Sequence, residues 1–179
     1  MEKLENQPCP VCREKKLTLA EDEMEIPFFG KTFVFSMECS GCGFRKADIE
    51  AAEPKEPSKY TFEISSAKDM NIRIVKSSSA TIKIPELKTK IEPGADAEGY
   101  VANIEKILNN IYEQVKDIKE NEEDSKKRKK AWKLMDKILD IKEGKEKATL
   151  IIEDPTGNSA IISDKAEKTP LKAKKKSSK

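Results

Sequence analysis

Two cysteine pairs constrain this chain more than any other feature of its sequence. Cys9 and Cys12 form one Cys-x-x-Cys unit, Cys39 and Cys42 form the second, and 26 residues separate the two pairs. This spacing lets each tight turn direct two thiolates at one ion, and four thiolates complete a tetrahedral zinc site. The chain contains no histidine and no further cysteine. We therefore predict one structural Zn²⁺ bound by these four sulfurs, with no coordination position open for a substrate.

Two other uses of the cysteines are weaker alternatives. A pair of disulfides is typical of small secreted proteins, but residues 1–8 are polar and charged rather than an apolar signal segment. We therefore expect a cytoplasmic protein. A rubredoxin-type iron site uses the same two thiolate pairs, and the spacing alone does not distinguish iron from zinc.

The sequence lacks the usual groups of an enzyme active site. The absence of histidine removes Ser-His and Cys-His nucleophile pairs, and the cysteines are assigned to metal. Segment 153–158 contains two carboxylates, but Pro155 and Gly157 are typical of a tight turn between strands. No apolar run approaches the ~20 residues of a membrane-spanning helix. We expect neither an enzyme nor a membrane protein.

The net charge of +2 combines an acidic body with a basic tail. Residues 165–179 contain seven lysines and one glutamate, which leaves about −4 for the rest of the chain. Such a body is a poor match for a dedicated nucleic-acid surface, so we expect no specific nucleic-acid partner. The tail has too few apolar residues to form a core, and we predict that it is disordered.

Residues 1–50 have the pattern of a zinc ribbon. Apolar and polar residues alternate over 17–19 and over 33–37, as in β-strands, and residues 27–30 form the turn between the two strands. A unit of this size buries too little apolar surface to be stable alone, so the metal must supply most of its folding free energy. Residues 51–58, with two prolines and alternating charges, are predicted to be a linker.

Residues 59–164 combine short strands with two helices. Alternating apolar residues predict strands between residues 60 and 84 and again between residues 149 and 162. Between them, over residues 101–141, apolar residues recur at steps of three and four, which predicts two amphipathic helices. A short polar connection makes these helices an antiparallel hairpin. We predict that the hairpin is inserted into a β domain at about 98–143.

Several segments, in this order along the chain, resemble the ZPR zinc-finger protein family. The matching segments are 9–12, 26–29, 39–45, 48–50, 71–77, 80–87, 91–94 and 153–159. The resemblance implies a zinc ribbon followed by a double-stranded β-helix domain that carries the helical hairpin. The predicted fold is therefore mainly β, with an α insertion.

The resemblance also implies a function. Eukaryotic members of the family bind the translation elongation factor of the 1-alpha class and assist its folding, and they carry two zinc-plus-β modules in tandem. This chain is similar to the short, single-module archaeal form. We expect a non-enzymatic protein that binds this factor and assists its folding or assembly.

Five residues outside the cysteines are candidate partner-binding positions. Phe28 and Phe29, at the predicted ribbon turn, either pack beneath the ribbon or form an apolar contact surface. Arg73 and Lys76 either bind a carboxylate or phosphate of a partner or are solvated. Trp132, beside the apolar stripe of the second helix, is either packed on the β domain or offered to a partner.

The basic segments of the chain suggest a second class of function. Residues 126–130 and the tail are rich in lysine, so the alternative is a ribosome- or RNA-associated zinc-ribbon protein. Acidic residues at 120–124 directly precede the first basic cluster, and no aromatic residues are interleaved for base stacking. These features favour the protein-binding hypothesis.

Overall fold

The computed structural model describes residues 1–27 and 29–171 of the chain. Phe28, one of the candidate partner-binding residues, and residues 172–179 of the predicted tail lie outside the described residues. The described part is mainly β with one helical hairpin, so the predicted fold class is confirmed.

The N-terminal ribbon is one antiparallel sheet with the strand order β1-β2-β3-β4. Its strands are β1 (Glu2–Pro8), β2 (Lys15–Ile26), β3 (Gly30–Cys39) and β4 (Arg45–Ala51). The predicted alternation sets the register, because Leu19 pairs with Met37 and Leu17 pairs with Cys39. The sequence does not predict β1, which has no apolar alternation and pairs along β2 as an edge strand.

Two further antiparallel sheets form the β domain. The strands are β5 (Ser58–Ile64), β6 (Arg73–Lys76), β7 (Thr81–Ile84), β8 (Thr89–Ile91), β9 (Tyr100–Asn103), β10 (Ala148–Asp154), β11 (Ala160–Ile161) and β12 (Glu167–Pro170). One sheet has the order β12-β5-β10-β7-β8 and the other has the order β11-β6-β9. Short 3₁₀ helices occupy Ala67–Asn71 and Pro85–Leu87.

The hairpin consists of α1 (Ile104–Asn121) and α2 (Ser125–Lys142). Asn103 and Asp124 cap the two N-termini, since their side chains accept hydrogen bonds from backbone amides one turn later. Gly144, with φ of 75°, follows the end of α2 in the left-handed conformation that glycine adopts readily.

The hairpin is part of the β-domain core. Side chains from both sheets and both helices meet in one apolar cluster, which shows that the helices cover the sheets. Its buried members include Phe62, Ile64, Ile74, Ile82, Ile84, Leu150, Ile152 and Ile161 from the strands and Ile104, Ile107, Leu108, Ile111, Ile138 and Ile141 from the helices. The halves of α1 and α2 nearest the sheets are therefore buried, whereas Ile118 and Trp132, towards the tip, are exposed.

Two predicted boundaries differ from the structure. The insertion does not begin at residue 98, because residues 100–103 form strand β9 and pair with β6. Val101 falls by chance on the three-and-four spacing of the apolar residues in α1. The sequence pattern therefore does not distinguish β9 from the helix that follows it. The predicted disordered tail is also wrong for residues 167–170, which form β12 along the edge of β5. Edge pairing needs only backbone groups, so polar side chains do not prevent it.

The ribbon is docked on the β domain. Ile26, Phe29 and Ile49 of the ribbon form an apolar cluster with Val75 and Ala160 of the β domain. The segment that connects the ribbon to the β domain is short, because β4 ends at Ala51 and β5 begins at Ser58. This segment also contacts the ribbon, since Lys55 Nζ donates a 2.9 Å hydrogen bond to the Phe29 carbonyl.

Candidate metal centre and partner-binding residues

The four cysteine sulfurs lie together at one end of the ribbon. All four are within 4.8 Å of one another, and the Cys9–Cys42 and Cys12–Cys39 sulfur pairs are each 3.7 Å apart. Zinc–sulfur bonds of about 2.3 Å in a tetrahedron place the sulfurs about 3.8 Å apart. The cluster therefore fits one tetrahedral Zn²⁺, and four thiolates complete its coordination.

Each cysteine pair is held by an equivalent tight turn. The Arg13 amide donates to the Cys9 carbonyl at 2.9 Å, and the Gly43 amide donates to the Cys39 carbonyl at 3.0 Å. Arg13 and Gly43 both have left-handed backbone conformations, with φ of 63° and 74°. In both turns this residue directly follows the second cysteine, so it reverses the chain and aims both sulfurs inward.

The surroundings of Cys9 and Cys12 shift the pKa values of their thiols in opposite directions. Burial acts to raise the pKa of Cys9, but backbone hydrogen bonds from Cys12 and Val11 and the neighbouring sulfurs lower it to about 7. For Cys12, a backbone hydrogen bond from Glu14 acts to lower the pKa. Burial and the other three sulfurs act in the opposite direction and raise the pKa of Cys12 to about 12. The cluster thus needs a cation before all four thiolates can form together.

The ribbon buries one cysteine of each pair. Cys9 and Cys39 are each 1% exposed and pack with Leu17, while Leu19 and Phe44 lie against the same cluster. Cys12 is half-buried and Cys42 is exposed. The four-sulfur donor set is typical of a structural metal site.

Phe29 is not an exposed partner-binding residue, which corrects the prediction for this position. Phe29 is 4% exposed within the cluster that joins the ribbon to the β domain. Lys55 Nζ lies 4.8 Å from its ring centroid and covers it further. Phe29 therefore contributes to docking of the ribbon.

Lys76 is also buried, so the prediction of a contact with a partner is wrong for this residue. It is 5% exposed, and its Nζ donates to the backbone carbonyls of Ser77 at 3.0 Å and Glu98 at 3.4 Å. Burial lowers the pKa of this amine, while Asp48 and Asp154 act in the opposite direction. The side chain holds the loop before β9 against β6.

Arg73 and Trp132 are exposed, but the structure does not bring them together. Arg73 lines an open cleft of about 510 Å³ with Lys106 and Asn103 at the start of α1. Trp132 is 54% exposed on α2, and Lys119 Nζ of α1 lies 4.2 Å from its ring centroid. Both positions stay candidate contacts for a partner.

Sequence reasoning missed a polar network beneath the ribbon. Asp48 of β4 accepts hydrogen bonds from the backbone amide of Ser78, at 2.8 Å, and from its hydroxyl. Nearby, fully buried Asp154 accepts hydrogen bonds from the hydroxyls of Ser77 at 2.8 Å and Ser159 at 2.5 Å. The turn at 153–158 was the only sequence signal for this network, and it did not reveal the partners.

Within residues 1–27 and 29–171, neither helix is long and apolar enough to cross a membrane.

Comparison with known families covers nearly the whole chain. A family model described as the ZPR1 zinc-finger domain matches residues 1–57, and one described as the ZPR1 jelly-roll domain matches residues 68–178. Jelly roll is another name for the double-stranded β-helix.

Two archaeal proteins are similar over most of their length. An uncharacterised ZPR1-like protein of Methanocaldococcus jannaschii is 42% identical over 172 residues, which is 96% of this chain and 87% of that protein. A ZPR1-like protein of Pyrococcus horikoshii is 39% identical over 167 residues, which is 91% of this chain and 75% of that protein.

Eukaryotic relatives are longer. The zinc finger chaperone zpr1 of Schizosaccharomyces pombe is 33% identical over 140 residues, which is 76% of this chain but 30% of that protein. The human zinc finger protein ZPR1 is 31% identical over 145 residues, with the same two coverages. From the two domain matches and these relatives, together with the four-sulfur site, it follows that the chain belongs to the ZPR1 zinc-finger protein family.

Proposed function

We propose that this protein binds the translation elongation factor of the 1-alpha class in the cytoplasm and assists its folding or assembly without catalysing a reaction. Membership of the ZPR1 family supports this proposal, since the family resemblance implies that partner. One relative is named a zinc finger chaperone. The closed four-sulfur site supports a non-enzymatic role, because it leaves no coordination position for a substrate.

The exposed outer half of the hairpin is the structural observation that carries the proposal. Ile118 is 62% exposed near the end of α1, and Trp132 is 54% exposed in the first half of α2. The inner halves of both helices are fixed in the core, so the outer half is a rigid arm that presents apolar side chains to solvent. Exposed aromatic and aliphatic residues of this kind are common anchors in protein interfaces.

The outer half of the hairpin is already ordered in the unbound protein. Lys119 Nζ lies over the Trp132 ring and links the two helices near the tip. The connection between α1 and α2 is short and is closed by the Asp124 cap, whose Oδ1 accepts from the Lys126 amide at 2.7 Å. A preorganised surface loses little conformational entropy when a partner binds.

Calorimetric titration of the purified elongation factor with the zinc-loaded protein tests the proposal. We expect Ile118→Ser and Trp132→Ser each to weaken binding about tenfold or more, since anchors of this kind are worth at least 1.4 kcal/mol. Val11→Ser is the matched control, because Val11 is also 62% exposed but lies on a cysteine turn of the ribbon. No binding by the unaltered protein would refute the function. Weakening by Val11→Ser alone would move the contact to the ribbon.

Salt dependence separates this proposal from the RNA alternative. An apolar protein contact releases few counterions, whereas each phosphate contact adds nearly one unit to the log-log slope of affinity against salt. We expect a shallow slope for the elongation factor complex. A chain that lacks residues 172–179 should bind the factor equally well. Tight, steeply salt-dependent binding of ribosomal RNA in place of the factor would favour the alternative.

A further inference from the structure

The outward face of the ribbon carries an apolar groove with an acidic rim. Cross-strand partners in an antiparallel sheet share a face. Leu4, Leu19 and Met37 therefore form one row across β1, β2 and β3, and Glu2, Glu21 and Phe35 form the next row. On β4 these rows continue with Lys46 and Asp48. The six residues on β1, β2 and β3 line a groove of about 280 Å³, which we call the Phe35 groove.

The lining of the Phe35 groove comes entirely from the ribbon. Ile26 and Ile49 lie on the opposite face of the sheet and pack against the β domain. Phe35 belongs to none of the buried apolar clusters of the described residues. Leu4 is 61% exposed at the edge of the groove. The groove is thus an accessible apolar surface on a strand pair that the metal and the docking interface hold rigid.

The adjacent row of the sheet shows what kind of side chain this pattern accepts. Phe33 is the cross-strand partner of Glu23, and Lys31 Nζ lies 5.5 Å from the Phe33 ring centroid. The same Nζ is 2.7 Å from a Glu23 carboxylate oxygen. One basic side chain therefore satisfies both the ring face and the carboxylate, combining a cation–π contact with an ion pair.

Phe35 repeats this arrangement without a basic side chain. Its cross-strand partner is Glu21, and its ring centroid is 6.3 Å from that of Phe33. Among the described residues, no cation lies over the Phe35 ring and no ion pair includes Glu21 or Glu2. The Phe35 groove therefore offers a ring and two carboxylates beside an apolar row.

We propose that the Phe35 groove binds a short segment of a partner protein in which a lysine or arginine is flanked by aliphatic side chains. The basic side chain lies over Phe35 and pairs with Glu21, as Lys31 does with Phe33 and Glu23. The aliphatic neighbours pack on Leu4, Leu19 and Met37. This inference goes beyond the proposed function, because it defines the chemistry of a second contact surface and holds for any partner with such a segment.

Titration of the full, zinc-loaded chain with a blocked peptide tests the inference by ¹⁵N NMR. The probe is acetyl-Leu-Arg-Leu-amide, and acetyl-Leu-Glu-Leu-amide is the matched control peptide. We expect saturable shifts of the amides at 19–21 and 35–37 with the arginine peptide at millimolar concentration, and none with the glutamate peptide. Shifts centred elsewhere, equal binding of both peptides, or no binding of the arginine peptide would overturn the proposal.

Two variants test the carboxylate and the aromatic ring separately. Glu21→Lys places a positive charge at the rim, and Phe35→Ser removes the ring; each should weaken arginine-peptide binding about tenfold. Glu167→Lys is the matched charge control on β12 and should leave binding unchanged. If Phe35→Ser lowers the zinc content, the Glu21→Lys result decides. Unchanged affinity for Glu21→Lys would contradict the inference.

Discussion

The cysteines, Phe29 and Lys76 differ in how far their roles follow from sequence. The metal site follows from one short pattern that occurs twice, since each cysteine turn needs only four consecutive residues and a left-handed residue after them. Its prediction is confirmed by the sulfur cluster. Phe29 and Lys76 are buried by contacts between segments that are distant in sequence, such as Phe29 with Val75 and Lys76 with the Glu98 carbonyl.

Replacement of Cys39 by Ser should release the zinc and unfold the ribbon. The free energy of metal binding is also the folding free energy of a small zinc unit, on the order of 10 kcal/mol. The β domain has its own core and should remain folded, although Val75 and Ala160 lose their ribbon cover. Metal analysis together with NMR of the ribbon amides measures both effects. Ser40→Ala, one residue away, should retain the metal; a zinc-loaded Cys39→Ser protein would contradict the assignment.

Glu86 provides a prediction for pH. Burial acts to raise its pKa, but hydrogen bonds from the Thr149 amide at 2.9 Å and hydroxyl at 2.8 Å lower it below the ordinary 4.5. The folded state therefore holds this proton less tightly than the unfolded state. The resulting stability is present above pH 4.5 and is lost as the pH falls through the lower folded value.

Glu86→Gln should reduce the free energy of unfolding by about 1 kcal/mol at pH 7. The difference from the unaltered protein should narrow as the pH falls below 4.5, because the unaltered carboxylate then becomes protonated. Urea unfolding of both proteins at several pH values measures this difference in the free energy of unfolding. Both proteins lose zinc at low pH, and subtracting one free energy from the other cancels that shared effect. Exposed Glu53→Gln serves as the control; a constant difference at all pH values would show that the charge is not responsible.

At the scale of secondary structure elements, periodicity predicts the helices better than the strands. The steps of three and four identify both α1 and α2. Strand β9 is hidden because Val101 continues the helical spacing, and β1 and β12 are hidden because edge strands pair through backbone groups. The periodicity also does not show that only the inner half of each helix is buried, since Ile118 continues the stripe into solvent.

The two halves of α2 should therefore respond differently to truncation of a side chain. Ile138 is fully buried in the core, and Ile138→Ala should cost about 2–5 kcal/mol of stability because it removes buried methyl groups and leaves a cavity. Trp132→Ala, in the exposed half, should cost less than about 1 kcal/mol. Guanidinium unfolding of both variants measures the contrast. Equal losses would mean that the outer half is also part of the core.

For the whole molecule, docking of the ribbon depends on a close backbone approach that sequence reasoning did not identify. The Gly99 amide donates a 3.0 Å hydrogen bond to the Ala47 carbonyl of β4. A Cβ atom at Gly99 would lie 2.5 Å from the Asp48 Oδ1 and 2.9 Å from the Ile49 nitrogen. Only a residue without a side chain fits there. Glycine is common in loops, so its presence at position 99 does not indicate a close contact. Only the three-dimensional structure shows that the backbone of β4 lies against it.

Gly99→Ala should displace the ribbon from the β domain and cost about 1–3 kcal/mol, because the added methyl group overpacks the interface. Hydrogen exchange of residues 45–51 should accelerate, whereas exchange in β10 should stay slow. Gly94→Ala is the matched control, since a Cβ at Gly94 has nothing within 4 Å. Unchanged exchange in Gly99→Ala would show that the interface adapts.

The C-terminal strand β12 has a consequence for the solubility of the chain. It hydrogen-bonds along β5, and the Leu171 amide extends the contact by donating to the Pro57 carbonyl at 3.0 Å. Without β12, the unpaired amides and carbonyls of β5 would be a template on which a second copy could add a strand. Removal of the basic tail from residue 165 would therefore promote self-association, whereas removal after Leu171 would leave the sheet edge protected.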